Sequence, residues 1–254
     1  MKKIILTLIG LHFYTMAFYA QEKADSIPLR LPAADTEFSL EQLILPASLV
    51  TAGTFGLGSN RVKALNRNIK DKVAGFRSHY TQADDYIQYL PVISVYGLSL
   101  AGAKPKHDYI DRTLIIAASY LSMGIMVNSM KYSICSARPN SSSRNSFPSG
   151  HTATAVMGAE LVRKEYRDDS PWYGIAAYSV ATGIGLMRIY NEKHWMTDVF
   201  AGAGVGILSA RIGYWLLPFN RRLTGRGKAA GSQFAVAPFY TKQQGTGIGL
   251  SYRF

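Results

Sequence analysis

From about residue 40 to residue 218 the chain is a succession of apolar runs of helical character, with almost no two-residue alternation. That pattern predicts helices at roughly 40–59, 88–103, 112–131, 151–166, 172–188 and 196–217, with a basic, amphipathic stretch over 61–80. The runs are rich in Ala, Gly, Ser and Met, which suits close helix–helix packing. The expectation is an all-α core over residues 43–220, with no internal repeat.

The pattern changes after Pro218. Residues 221–233 read as a basic, flexible linker. Ile248, Leu250, Tyr252 and Phe254 then alternate with Gly247, Gly249, Ser251 and Arg253. Phe234 to Tyr240 offers a partner strand and Gln243-Gln244-Gly245 a turn, so a small β-hairpin is expected over 234–254. An exported chain ending in an alternating strand with a final Phe also resembles the last strand of an outer-membrane barrel. Two strands cannot close a barrel, so a hairpin packed on the helical core is the favoured reading.

At the other end, Lys2 and Lys3 precede an apolar run from Ile4 to Ala20, the layout of a signal peptide cleaved after Ala20. Phe18 stands where a small residue is usual, so a retained N-terminal anchor is the alternative for residues 1–20. Residues 21–42 form a polar lead-in with Pro28 and Pro32. Cys135 is the only cysteine, which excludes an intrachain disulfide and a Cys-based metal cluster. Two uncharged 18-residue runs, 43–60 and 113–130, are long enough to span a bilayer. Basic residues divide almost evenly between alternate loops, so no positive-inside bias orients such spans.

The excess of 28 Lys+Arg over 16 Asp+Glu favours anionic partners. Scattered basic residues without a recognition motif argue against nucleic acid. Three short segments concentrate the chemistry. Lys131 to Arg138-Pro139 closes an uncharged helix, Phe147-Pro148-Ser149-Gly150-His151 opens another, and Arg188 to His194 and Asp198 lies between two apolar runs. A phosphoryl group must have its negative charge held and spread in the transition state. Lys131, Arg138 and Arg188 supply cations, two of them guanidinium forks matched to phosphate. Pro148-Ser149-Gly150 leads into a helix N-terminus, where N–H groups favour an anion. Ser149 adds a hydroxyl, and Gly150 permits close backbone approach.

His194 and Asp198 stand at i and i+4, one helical face. A carboxylate there can hold one ring N–H and leave the other nitrogen to attack. His151, beside the anion site, can protonate a departing oxygen and later activate water. Each residue alone has a plainer explanation as a cap, a surface pair or loop punctuation. Their concurrence is what argues for a site, because two of only five histidines fall in the pattern.

The series Lys-x6-Arg-Pro, Pro-Ser-Gly-His and Arg-x5-His-x3-Asp resembles the type-2 phosphatidic acid phosphatase and vanadium haloperoxidase superfamily. All three motifs stand in order with matching spacing, over about residues 110–217. Met187 departs from the Ser that usually precedes the Arg. The resemblance implies an antiparallel helical bundle with its site at one end. It further implies a nucleophile at His194 that forms a phosphohistidine, an orienting Asp198 and a general acid/base at His151. Lys131, Arg138, Ser149, Gly150 and Arg188 correspond to the phosphate cradle. No metal or other cofactor is implied, and vanadate is the expected inhibitor.

The leading expectation is a membrane-associated lipid phosphatase of the cell envelope, working on the periplasmic side. Lipid A and polyprenyl pyrophosphate are the favoured phosphorylated lipid substrates. A soluble periplasmic acid phosphatase is the alternative, supported by Glu160, Arg163 and Lys164 interrupting the helix after His151. A vanadium haloperoxidase is a lesser alternative, since the chain is compact for that role. A non-catalytic envelope protein carrying relic motifs is disfavoured by retention of every charged and imidazole group.

Overall fold

A computed structural model describes residues 36–75, 81–225, 234–241 and 245–252. The expected leader or anchor, most of the lead-in, residues 226–233 of the linker and the Gln243-Gln244 turn lie outside the described residues. Nine helices are described: α1 Glu41–Gly58, α2 Asn60–Ala74, α3 Ala83–Ile87, α4 Leu90–Leu100, α5 Tyr109–Ile134, α6 Gly150–Tyr166, α7 Pro171–Tyr190, α8 Met196–Trp215 and α9 Leu217–Leu223. The all-α expectation for the core holds. Residues Phe234–Thr241 (β1) run antiparallel to Gly245–Tyr252 (β2), with Val236 opposite Leu250.

Local chemistry sets the helix starts. Ser59, Asp108, Ser149 and Ser170 each cap a helix by accepting a backbone N–H, and Pro171 fills the first position of α7. α5 stops at Cys135, whose left-handed φ of 48° lets its amide close onto the Lys131 carbonyl.

Two helices form the centre. α6 packs against α4, α7 and α8, and α8 also packs against α1 and α5. The contact between α6 and α8 is close because both meet through backbone. A Cβ added at Gly202 would lie 2.4 Å from the Ser149 carbonyl oxygen, and one at Gly206 would lie 2.5 Å from that of Ala153. Met157, Leu161, Val162, Ile184 and Tyr214 fill the surrounding core, each worth about 1.5–3 kcal/mol of apolar transfer for the larger side chains.

Of the charges expected to open the helix after His151 to water, Glu160 and Lys164 are buried instead, while Arg163 keeps about a third of its side chain exposed. Glu160 accepts from Arg163, Tyr178 and Arg211, and Glu165 meets His107 and Tyr214. Lys164 lies over the Tyr214 ring. Buried charge persists here because each group is paired. The interrupted helix therefore gives no support to an aqueous face.

Apolar side chains do face outward elsewhere: Ile44 and Phe55 on α1, Leu121 and Ile125 on α5, Trp172 and Leu186 on α7. α5 is long and apolar enough to cross a bilayer, with only 22% of its apolar window buried, and α8 with α9 passes the same test as a pair bent by 47°.

Candidate active site

The site forms where α5 ends, α6 begins and the α7–α8 turn closes. The spacing between Arg188 and His194 has a local cause. Asn191 N–H donates to Met187 O, Glu192 turns the chain at φ 51°, and the amides of Lys193 and His194 both reach the Arg188 carbonyl. This fold-back brings the His194 side chain beside the last turn of α7. Met187, the departure from the usual Ser, packs against the core.

His194 is 2% exposed. Its Nδ1 lies 2.7 Å from the Ser146 carbonyl oxygen and 3.7 Å from Asp198 Oδ2. The hydrogen bond assigns the proton to Nδ1 and leaves Nε2 as the lone-pair nitrogen. Asp198 was expected to hold the ring directly. Its Oδ2 instead accepts from the Ser146 hydroxyl at 2.5 Å and from Trp195 N–H at 2.9 Å, the second bond capping α8. Asp198 thus acts on His194 through Ser146 and by charge. Burial, followed by Arg188 and Lys131, lowers the imidazole pKa to about 4 against the pull of Asp198, so the ring is neutral at pH 7.

The three cations converge on the same place. The charge of Arg188 bears on Arg138, Lys131, His151 and His194. Lys131 Nζ donates to Asn145 O at 2.5 Å. Arg188 Nη1 donates to Asp84 Oδ2 at 2.6 Å and to Asp85 Oδ1 at 3.2 Å. The Nε atoms of Arg138 and Arg188, and Asp198 Oδ1, are buried without a partner. Two orphaned guanidinium donors beside a neutral imidazole are what an oxyanion would satisfy.

The loop carrying Arg138 is tied to its surroundings. Its Ser146 amide bonds Ser136 O, Trp195 Nε1 donates to Ala137 O at 2.9 Å, and Lys70 Nζ to Pro139 O at 2.9 Å. Trp195 therefore pins the loop. Lys70, within the stretch read from sequence as basic and amphipathic, does the same from α2.

Ser149 differs from its expected use. Its hydroxyl accepts from Thr152 N–H, shares a 2.9 Å bond with Thr152 Oγ1 and is fully buried, so it caps α6. The Ser149 amide donates to Asp198 O at 3.0 Å, locking the start of α6 to α8. A Cβ at Gly150 would meet only Val127 at 3.8 Å, so packing does not demand the glycine. The first N–H groups of α6 precede the intrahelical ladder and suit an anion.

His151 keeps 27% of its side chain exposed, and its Nε2 lies 2.7 Å from Asp85 Oδ1. Burial, then Arg188, lowers its pKa, while Asp85 and Asp84 raise it. Four contributors escaped the sequence reading: Asp84, Asp85, Ser146 and Asn191. Asn191 Nδ2 bonds Thr81 O and Asp84, fastening the start of α3 to the α7–α8 turn. Ser146 lies one residue outside a quoted motif, and Asp84-Asp85 is an acidic pair in a chain poor in acids. Among the described residues no group of three or more His, Cys, Asp or Glu could hold a metal ion.

A family model described as the PAP2 superfamily matches residues 112–222. A lipid A 1-phosphatase of Porphyromonas gingivalis is 40% identical over 151 residues, 59% of this chain and 34% of that protein. The bacitracin transport permease protein BcrC of Bacillus licheniformis is 34% identical over 74 residues, 29% of this chain and 34% of that protein. The chain thus spans about a third of the length of the curated relatives it matches. The solved structure of a transmembrane PAP2 type phosphatidylglycerolphosphate phosphatase from Bacillus subtilis shares the fold. Its TM-score is 0.51 at 20% identity, over 69% of this chain and 95% of that one.

Proposed function

We propose, on the premise that the match of residues 112–222 to the PAP2 superfamily model reflects membership, that the chain is a membrane-associated phosphatase of the cell envelope that hydrolyses a phosphorylated lipid. The observation that carries this reading is the buried, neutral His194 set among Lys131, Arg138 and Arg188, with guanidinium donors left unpartnered. In the first step Nε2 of His194 attacks phosphorus. The P–N bond forms, the ester P–O bond breaks with its electron pair on the leaving oxygen, and His151 supplies that oxygen with a proton. Water then attacks the phosphohistidine, His151 takes its proton, and the P–N electron pair returns to Nε2. The cradle holds charge throughout, and no metal enters the scheme.

Lipid A is the preferred substrate, supported by the Porphyromonas gingivalis relative, and polyprenyl pyrophosphate is the second. The outward apolar side chains of α1, α5 and α7 suit contact with lipid, and the proposed side of action is the periplasm. The proposal retains a cleaved or anchoring leader at 1–20 and a terminal hairpin at 234–254. Purified protein in detergent is expected to release phosphate from lipid A micelles at least tenfold faster, per kcat/KM, than from glycerol phosphate. Equal rates on both would favour a broad acid phosphatase.

The two histidines also define a pH dependence. The pKa of His194 is about 4, so its attacking form accumulates as pH rises through that value. The pKa of His151 lies below the ordinary 6.5, and its proton-donating form is lost as pH rises through it. A bell-shaped kcat/KM profile with an acidic optimum between these limits is expected for the free enzyme. A plateau continuing through pH 8 would contradict the assignment.

A further inference from the structure

The proposed function leaves Asp85 without a role, yet its carboxylate stands at the centre of the acid–base geometry. One oxygen, Oδ1, lies 2.7 Å from His151 Nε2 and 3.2 Å from Arg188 Nη1. Its neighbour Asp84 meets the same Arg188 nitrogen from a buried position. Asp84 is 1% exposed, holds Arg188 Nη1 at 2.6 Å and receives Asn191 Nδ2. Asp85 keeps half of its side chain exposed and makes the single bond to His151. Both carboxylates hold the cradle guanidinium, Asp84 the more closely, and of the two Asp85 is the one that bonds the imidazole.

Resting on the phosphatase reading above, we propose that Asp85 is the positioning residue of the general acid/base, holding His151 through Nε2 so that Nδ1 exchanges the proton with the leaving oxygen and with water. The arrangement parallels that at His194, where Nδ1 is held by Ser146 O and Nε2 reacts. Each histidine then presents the nitrogen opposite its anchor. An imidazole anchored at one nitrogen by a carboxylate loses rotational freedom and gains basicity. The charged groups facing His151 are Asp85 and Asp84 from α3 and Arg188 from α7. Removing Asp85 deletes one of the groups that favour the protonated ring and leaves Arg188 held by Asp84.

The test compares wild type with Asp85→Asn and Asp85→Glu, using the full chain in detergent. Two esters are used, dioleoyl phosphatidic acid and p-nitrophenyl phosphate. The alkoxide leaving from phosphatidic acid needs a proton, whereas p-nitrophenolate leaves readily without one. For Asp85→Asn, first-turnover rates are expected to fall about 30-fold on phosphatidic acid and less than about 3-fold on p-nitrophenyl phosphate. KM should stay within about 3-fold, the alkaline limb of kcat/KM should move to lower pH, and Asp85→Glu should restore part of the rate. Equal losses on both esters would overturn the proposal. So would an unchanged pH profile, or retained kcat with tenfold tighter inhibition by inorganic phosphate, which would mark Asp85 as an occupant that substrate displaces. Absence of phosphate release from wild type on both esters and on lipid A and polyprenyl pyrophosphate would instead remove the phosphatase reading itself.

Discussion

Replacing His194 with Asn is expected to lower kcat for phosphate release by ~10⁴-fold or more, because it would remove the proposed attacking nitrogen rather than weaken binding. Asn is the informative choice. The native ring is almost fully buried and bonds Ser146 O through Nδ1. An Asn amide can donate to the same carbonyl and fills part of the volume, which limits the cavity penalty that alanine would impose. Substrate affinity is expected to change little, since Lys131, Arg138 and Arg188 remain. Steady-state kinetics with a phosphate-release assay, paired with circular dichroism to verify folding, checks both halves. Activity within tenfold of wild type would assign the nucleophile elsewhere.

Arg188 gives the second large effect, and it combines structure with catalysis. Its guanidinium joins α7 to Asp84 and Asp85 of α3, and its charge bears on both histidines. Alanine would leave Asp84 buried with only Asn191 as a partner, at a cost of about 3–5 kcal/mol for breaking a buried pair. Arg188→Lys is the sharper test. It retains the charge and can still pair with Asp84, but it loses the planar fork that serves carboxylate and phosphate together. We expect a folded protein whose kcat/KM is about 100-fold lower, with loss of affinity for inorganic phosphate as inhibitor. A Lys variant with wild-type kinetics would show that the cradle needs only charge at this position.

Much of this was legible in the chain because its signals are periodic or local. Six apolar runs became α1, α4, α5, α6, α7 and α8, with ends within a few residues of the pattern. The stretch after His151 misled in one respect. Glu160 and Lys164 read as exposure, yet they are 1% and 3% exposed because their partners arrive from other elements: Tyr178 on α7, and Arg211 and Tyr214 on α8. Periodicity reports polarity, not pairing.

The site divides in the same way. Residues of the three motifs stand out because the chemistry concentrates rare residue types at fixed spacing. Asp85 is 66 residues from His151 and Asp84 is 104 from Arg188, and no spacing rule links them. Ser146 was hidden for another reason: its contribution to His194 is a backbone carbonyl, which every residue possesses. The expected His194–Asp198 bond was a fair inference from i,i+4 spacing. The turn that places His194 against Arg188 O puts Ser146 between them in function, with Asp198 acting through its hydroxyl.

Covalent phosphoryl transfer to His194 can be sought directly. The enzyme would be mixed with lipid A labelled in its phosphate, quenched in alkali within the first turnover and digested for mass spectrometry. An alkali-stable, acid-labile phosphoryl group is expected on His194, absent from His194→Asn and from His151 of the wild type. Phosphate release without any phosphoenzyme, or with the label on another residue, would contradict transfer to His194.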